Sequence, residues 1–199
     1  MVDNNLQTDV QLVQLTLSGD RASFNELMRR HQTRLLAFLQ QMSGLEQSKV
    51  EDLVQETFIK AYVNLENFDY SKYNSDKAFG TWLFTIGRRL LLNELRKSNR
   101  DKLVFFSASQ TTETQNNNIP DNSESFERSY EQSEEQKYLW SKIRCVLTEP
   151  QWAALWLQYV EDYSIEEIAK ALNKKKQGVK ALIHRGKRVL QNHPEIFGR

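Results

Sequence analysis

The sequence predicts an all-α protein: two small helical domains joined by a flexible acidic linker, with a helix-turn-helix as the C-terminal domain. Three observations carry that expectation. Seven glycines and three prolines in 199 residues are too few for an all-β fold full of tight turns. Apolar residues recur at helical spacing through most of the chain. Four boxes of the form T/S-x-x-Q/E mark helix starts, at Thr8–Gln11, Ser48–Glu51, Thr148–Gln151 and Ser164–Glu167.

Taken in order, the first box opens a short helix with Val10, Val13 and Leu17 on one side, broken by Ser18-Gly19-Asp20. Asp20 is placed to cap the second helix, which carries Phe24, Leu27, Met28, His31, Leu35, Phe38 and Leu39 at helical spacing and stops at Ser43-Gly44. The Ser48 box is expected to start the third, with Val50, Leu53, Val54, Thr57, Phe58, Ala61 and Leu65 inward. Its opposite face shows Glu51, Asp52, Gln55 and Glu56, a patch of acids and one amide. Asn67 to Lys77 is polar and aromatic and reads as a loop.

The stretch Phe79–Asn99 then separates into two faces. Phe79, Trp82, Leu83, Ile86 and Leu90 form an apolar stripe that Phe84, Leu91 and Leu95 widen. A narrow face carries Thr81, Thr85, Arg88, Arg89, Arg96 and Asn99. Guanidinium forks match phosphate oxygens, and small hydroxyl residues let a backbone come close, so this face suits nucleic acid. These four helices form one expected domain over 8–100.

Periodicity weakens after residue 100. Residues 101–134 form the expected linker, rich in Ser, Thr, Asn and Gln. Over 101–137 the acids are Asp101, Glu113, Asp121, Glu124, Glu127, Glu131, Glu134 and Glu135, against Lys102, Arg128 and Lys137, which favours an extended chain. Phe105 and Phe106 are the exceptions, expected to dock on one of the domains.

The second domain spans 135–192. Leu139, Ile143, Val146 and Leu147 mark a helix; the Thr148 box, with Pro150 in the first turn, opens another. The Ser164 box opens a short helix that Asn173 is suited to stop in the left-handed conformation. A last helix follows, with Val179, Leu182, Ile183, Gly186 and Leu190 inward. A short helix, a tight turn and a longer basic helix make a helix-turn-helix. From Lys170 to Arg188 there are eight bases and no acid: Lys170, Lys174, Lys175, Lys176, Lys180, Arg185, Lys187 and Arg188. That is an electrostatic footprint for nucleic acid, hidden in a net charge of only +1 because the charge is segregated along the chain.

Other classes are disfavoured. The single cysteine, Cys145, excludes an internal disulfide, fits a reducing cytosol and, beside Ile143, Val146 and Leu147, reads as a small core residue. No apolar run approaches the ~20 residues a membrane span needs, and the N-terminus lacks a signal-peptide pattern. His31, His184 and His193 have no partner at metal-ligand spacing, there is no Gly-rich phosphate loop, and no catalytic constellation, so no metal, cofactor or catalytic residue is assigned.

The order of these pieces resembles the extracytoplasmic-function (ECF) group of bacterial sigma-70 factors over nearly the whole chain. EDLVQETFIKAY resembles the segment that grips the β′ clamp helices of RNA polymerase, FGTWLFTIGRRLLLNELRK the segment that opens and reads the minus-ten element, and YSIEEIAKALNKKKQGVKALIHRGKR the helix-turn-helix that reads the minus-thirty-five element. The resemblance implies a cytoplasmic, non-enzymatic promoter-specificity subunit. Its implied partners are core polymerase, through the β′ clamp helices and β flap, promoter DNA and an anti-sigma factor, with no membrane insertion. It assigns Asp52, Gln55 and Glu56 to polymerase. It assigns Tyr70, Tyr73, Lys77, Trp82, Arg88, Arg89 and Arg96 to the minus-ten element, with the Tyr73 loop where a base is flipped out. It assigns Lys174, Lys175, Lys176, Lys180, Arg185 and Lys187 to the upstream element. The linker resembles one that threads the polymerase. Departures fall mostly on the recognition helix: a frequent Ser-Arg pair is Ala181-Leu182 and a frequent Thr is Gly178; in the Phe79 helix a frequent Asn is Arg89. Without donors at Ala181 and Leu182, phosphate contacts are expected to dominate there. The alternative reading is a helix-turn-helix regulator that binds duplex DNA without polymerase. A recombinase or transposase fragment would need a carboxylate triad on an α/β core, which the absence of strand patterns opposes.

Overall fold

The computed structural model describes residues 7–73, 76–108 and 133–197, with the backbone alone over 98–108. Among them are eight α-helices and no strand: α1 (Asp9–Leu17), α2 (Arg21–Ser43), α3 (Gln47–Val63), α4 (Ala78–Ala108), α5 (Glu134–Val146), α6 (Glu149–Tyr159), α7 (Ile165–Ala171) and α8 (Lys176–Gln191). A short 3-10 turn at Leu65–Asn67 leads into the expected loop, one at Tyr70–Lys72 lies within it, and another at Pro194–Phe197 follows α8.

The helix stops and starts follow local chemistry. Thr8, Thr148 and Ser164 close reciprocal capping boxes with Gln11, Gln151 and Glu167. Asp20 accepts from the backbone N–H of Ala22 at the start of α2. Gly44 (φ 63°) and Asn173 (φ 51°) take the left-handed conformation that ends a helix. The Ser48 box does not form. The Ser43 hydroxyl accepts from Leu45 N–H, and Gln40 donates to the Leu45 carbonyl, so the chain enters α3 already at Gln47. Ser48 then falls inside the first turn, and Glu51 accepts from the Gln47 side chain instead.

Two other expectations fail. The inner face of α1 is Leu12, Val13 and Thr16, while Leu17 is 49% exposed, because α1 lies on α2 with its stripe turned by a residue. Cys145 is exposed, its thiol turned to the Ser141 carbonyl of its own helix; Ile143 and Leu147 take the inward positions. The α4 backbone continues as helix to Ala108, eight residues past the expected domain edge at residue 100, since nothing before Ala108 stops it: no Gly or Pro stands there. The side chains of Phe105 and Phe106 lie outside the described residues.

One apolar core joins both helical units. Phe38 of α2 sits edge-on to Phe84 of α4 at 5.0 Å and faces Trp152 and Trp156 of α6 at 5.8 and 6.2 Å. The two indoles stack at 5.0 Å, and Trp140 of α5 packs on both. Tyr163, between α6 and α7, meets Phe84 edge-on at 5.9 Å. Gly80 is what lets α4 come so near: a Cβ there would lie 2.7 Å from the Tyr163 hydroxyl.

Candidate nucleic-acid interface

Three surfaces carry the sequence-predicted site residues, and the fold treats them differently. On α3, Leu53, Val54, Thr57 and Phe58 turn into the core, which forces Asp52, Gln55 and Glu56 outward. All three are exposed, with Glu56 paired to Lys60 at 3.3 Å on the same helix. Next to them, Ile59, Tyr62 and Val63 are 62, 45 and 72% exposed, an apolar strip along a groove that Phe24 and Met28 floor from α2.

The N-terminal part of the narrow face of α4, from Thr81 to Arg88, is not free. Thr81 is fully buried, and Thr85 and Arg88 are half-buried, because the C-terminal unit lies on them. Both threonine hydroxyls donate back to their own helix, to Lys77 O and Thr81 O, so they need no water. The Arg88 guanidinium closes a two-point fork on Glu149 of α6, Nε to Oε1 at 2.7 Å and Nη2 to Oε2 at 2.8 Å. Lys77 reaches the turn after α6, where Asp162 has φ 52°. Its ammonium donates to the Asp162 carboxylate and the Glu161 carbonyl, each at 3.3 Å, and also to the Asp162 carbonyl. Lys170 of α7 donates to the Tyr73 carbonyl at 3.0 Å and stands 5.2 Å over its ring, while Phe68 packs on Tyr73 from the other unit's own loop. Burial pushes the Tyr73 hydroxyl above its ordinary pKa.

Behind this row, Glu161 is the most deeply placed acid among the described residues. Its side chain has no exposure, accepts from Trp156 Nε1 at 3.2 Å and pairs with Arg34 of α2 at 2.9 Å. Burial raises its pKa, against the lowering effect of Arg34. Arg34, Glu149, Glu161, Asp162 and Lys170 were missed as interface residues. Their partners lie far off in sequence, so no local pattern in the sequence marks them.

The rest of the α4 surface stays open. Arg89 and Arg96 are exposed, Tyr70 is half-buried, and Trp82 is half-buried against Phe68 and Phe79 at 5.0 and 6.0 Å. Trp82 and Arg89 border a groove of about 510 Å³ between α3 and α4, which Lys60, Asn64, Asn67 and Asn93 also line. An indole edge, amides and two cations make a lining suited to an unstacked base and its phosphate.

The helix-turn-helix surface stands in solvent. Val179, Leu182, Ile183 and Gly186 are buried against the unit's core, so Lys174, Lys175, Lys176, Lys180, Arg185 and Lys187 are all outside. Leu182, at a position where the family often has arginine, is a core residue. Lys175 caps α8 without a side-chain bond, leaving first-turn N–H groups free for an anion. Lys176 pairs with Glu166 at 2.5 Å, Lys187 lies 5.2 Å over the Tyr159 ring, and Arg185 donates to the Ala181 carbonyl.

The Sigma-70 region 2 family matches residues 27–101, and Sigma-70, region 4 matches residues 145–190. The ECF RNA polymerase sigma factor SigW of Bacillus subtilis is 28% identical over 181 residues, 87% of this chain and 89% of SigW. The ECF RNA polymerase sigma-E factor of Haemophilus influenzae is 28% identical over 190 residues, 93% of this chain and 94% of the relative. The RNA polymerase sigma factor NccH of Alcaligenes xylosoxydans is 40% identical over 96 residues, a match that spans 48% of this chain and 46% of NccH. Among solved structures, CnrH in complex with the cytosolic domain of CnrY has a TM-score of 0.63 at 21% identity, covering 95% of this chain and 98% of that one. The sigma factor RpoE in complex with the anti-sigma factor NepR, from Bartonella quintana, has 0.63 at 22%, covering 88 and 96%; likeness at that level bears on the fold. The chain belongs to the ECF group of the sigma-70 family of RNA polymerase sigma factors. Among the described residues, no helix is long and apolar enough to cross a membrane.

Proposed function

We propose that this sigma factor divides its work between two units, a region 2-like one over 8–100 and a region 4-like one over 135–192, tied by the acidic linker 101–134. It acts in the cytoplasm and catalyses no reaction itself. The observation that carries the division is the outward row Asp52, Gln55 and Glu56 on α3, opposite an inner face of Leu53, Val54, Thr57 and Phe58. Acids and an amide in a row suit a basic helical partner, and the β′ clamp helices of core polymerase are that partner. The β flap takes the C-terminal unit. Trp82, Arg89 and Arg96, with Tyr70, Tyr73, Lys77 and Arg88, serve the minus-ten element. The groove beside Trp82 receives an unstacked base, since stacking surface and cations are what a single strand needs. Lys174, Lys175, Lys176, Lys180, Arg185 and Lys187 hold the phosphates of the upstream element. The linker, extended by its charge, occupies a channel built for nucleic acid. The apolar strip of Ile59, Tyr62 and Val63 is the surface we assign to an anti-sigma partner.

Run-off transcription with core polymerase on a random promoter library tests the whole reading: discrete transcripts that depend on this chain support it, and none would refute it. Asp52→Arg with Gln55→Ala tests the α3 assignment. It weakens core binding by roughly tenfold, the scale of a lost interface anchor, with an unchanged helical circular-dichroism spectrum.

A further inference from the structure

The outward side of α8 has a centre and two flanks. Val179, Leu182, Ile183 and Gly186 are buried, and the stripe opposite them at helical spacing is Gln177, Ala181, His184 and Arg188, all exposed. Cations lie to either side of that stripe: Lys176, Lys180 and Lys187 on one flank, Arg185 on the other. Lys176 and Lys187 lean back onto their own unit, toward Glu166 and the Tyr159 ring, and Arg185 lies along the helix to the Ala181 carbonyl. A helix in the major groove has a phosphate wall on each side and base edges under its centre. The flanks therefore suit phosphate, and the central stripe is what meets bases.

Along that stripe the chemistry is uneven. Gln177 is the second residue of α8, at the end of a recognition helix whose residues reach base edges. Its amide makes no hydrogen bond among the described residues. A glutamine amide matches adenine at two points, its oxygen accepting from the N6 amino group and its nitrogen donating to N7. Gly178 follows. A Cβ there would meet nothing within 4 Å, so packing does not ask for glycine, although glycine weakens a helix. The room it leaves is room for something outside the chain. Ala181 is too short to hold the helix off the groove floor. His184 donates or accepts according to its tautomer and so selects no one base, and Arg188 is in the last turn.

We propose that Gln177 is the specificity-determining residue for the upstream element, selecting an adenine through its side-chain amide, with Gly178 as the gap that lets the DNA close on it. This rests on the assignment of α8 to that element. The lysines supply affinity and Gln177 supplies the choice of base; Leu182, in the core, has no part in it.

The test uses the full chain bound to core polymerase and a pool of duplexes randomised over the upstream element. Sequencing the bound duplexes is expected to show one position at which adenine is favoured by roughly tenfold, the scale of one bidentate pair. Gln177→Ala is expected to remove the preference at that position alone. Gln177→Glu is expected to move it to cytosine, since a carboxylate accepts from the cytosine N4 amino group and has no proton to give to N7. Gly178→Ala is expected to melt no lower than wild type, because its Cβ stands in open space, and to weaken binding of the selected duplex severalfold. Helical circular-dichroism spectra that match wild type establish that the variants are folded. The same consensus in wild type, Gln177→Ala and Gln177→Glu overturns the proposal while leaving α8 on the upstream element. Full affinity in Gly178→Ala overturns the close approach. A wild-type pool without preference at any upstream position overturns the proposal as well; if Lys174→Ala with Lys180→Ala then also binds as wild type does, the fault lies in the assignment of α8 itself.

Discussion

The α4 face and the α8 face are both basic, both helical and both assigned to DNA, yet one is covered along its first turns and the other is bare. Arg88 and Lys77 are bound to Glu149 and Asp162, whereas Lys174, Lys175 and Lys180 point into solvent. The difference lies in what stands behind each face. The α8 helix spends its apolar side, Val179, Leu182, Ile183 and Gly186, on its own unit, and the contacts of its outer side, Lys176 with Glu166 and Lys187 with Tyr159, stay within that unit. The α4 helix carries Phe84, whose ring meets Phe38 of its own unit and Tyr163 of the other, and Gly80, which lets Tyr163 approach. Small residues beside an aromatic make a docking floor; the charged rim follows. A polar helical face is therefore a statement about charge, and only its apolar neighbours decide whether it is free.

The largest effect that can break this contrast comes from the floor itself. Trp156 has no exposure and touches Phe38, Trp140 and Trp152. Trp156→Ala is expected to cost about 3–5 kcal/mol, the usual loss for a buried large aromatic, read as a fall in the urea midpoint. A loss confined to a second, separate transition would mean that the two units do not share a core. Next in size is Leu182→Arg, which would restore a family residue on α8. Leu182 is 8% exposed, so the change buries a cation without a partner and should cost about 3 kcal/mol. Sharper upstream-element selectivity with unchanged stability would place position 182 on the DNA side.

How legible was this in the sequence? Helix number, order and most inner faces were readable because capping boxes and apolar spacing are local: Thr8, Thr148 and Ser164 do what their spacing says. Ser48 failed because the preceding turn is fixed by the Gln40 and Ser43 side chains, which start the helix early. Cys145 failed because a small thiol beside three hydrophobes carries no phase of its own; its neighbours Ile143 and Leu147 settle which way the helix turns. Thr81, placed on the polar face of α4 by phase, is on that face, but the face is buried under α7, far along the chain. The exposed row on α3 and the bare bases of α8 were readable because each is set by its own helix. Glu149, Glu161 and Asp162 as partners were not, since they are matched to α4 and α2 only by tertiary packing.

A smaller effect, in pH, separates the covered contact from the periphery. Glu26 accepts from Arg29 and Arg30 and its pKa falls from 4.5 to about 2, so it adds stability above 4.5 that is lost as pH falls toward 2. Glu161 runs the other way. Burial raises its pKa, so the folded chain holds its proton longer than the unfolded one, and stability declines as pH rises from 4.5 through the raised value. Glu26→Gln should flatten the acid limb of a stability-against-pH curve, and Glu161→Gln the limb above 4.5. A Glu161→Gln chain with the wild-type slope on that limb would mean that Glu161 is solvated, and hence that the contact between the units is open.

The smallest effect compares the two basic faces directly. Binding of a duplex that carries only the upstream element should engage α8 alone. Each phosphate that a variant no longer neutralises lowers the slope of log affinity against log salt by about 0.9. Lys174→Ala and Lys180→Ala remove exposed charges and should each lower the slope by about that amount. Lys176→Ala should lower it less, because Lys176 already neutralises Glu166, and reaching a phosphate means giving up that partner. Arg88→Ala should leave the slope unchanged, since the Arg88 fork is occupied by Glu149 and lies on the other unit. Fluorescence anisotropy over a salt series measures all four. A slope that drops for Arg88→Ala as it does for Lys174→Ala would put both faces on the same duplex and erase the distinction between a covered basic face and a bare one.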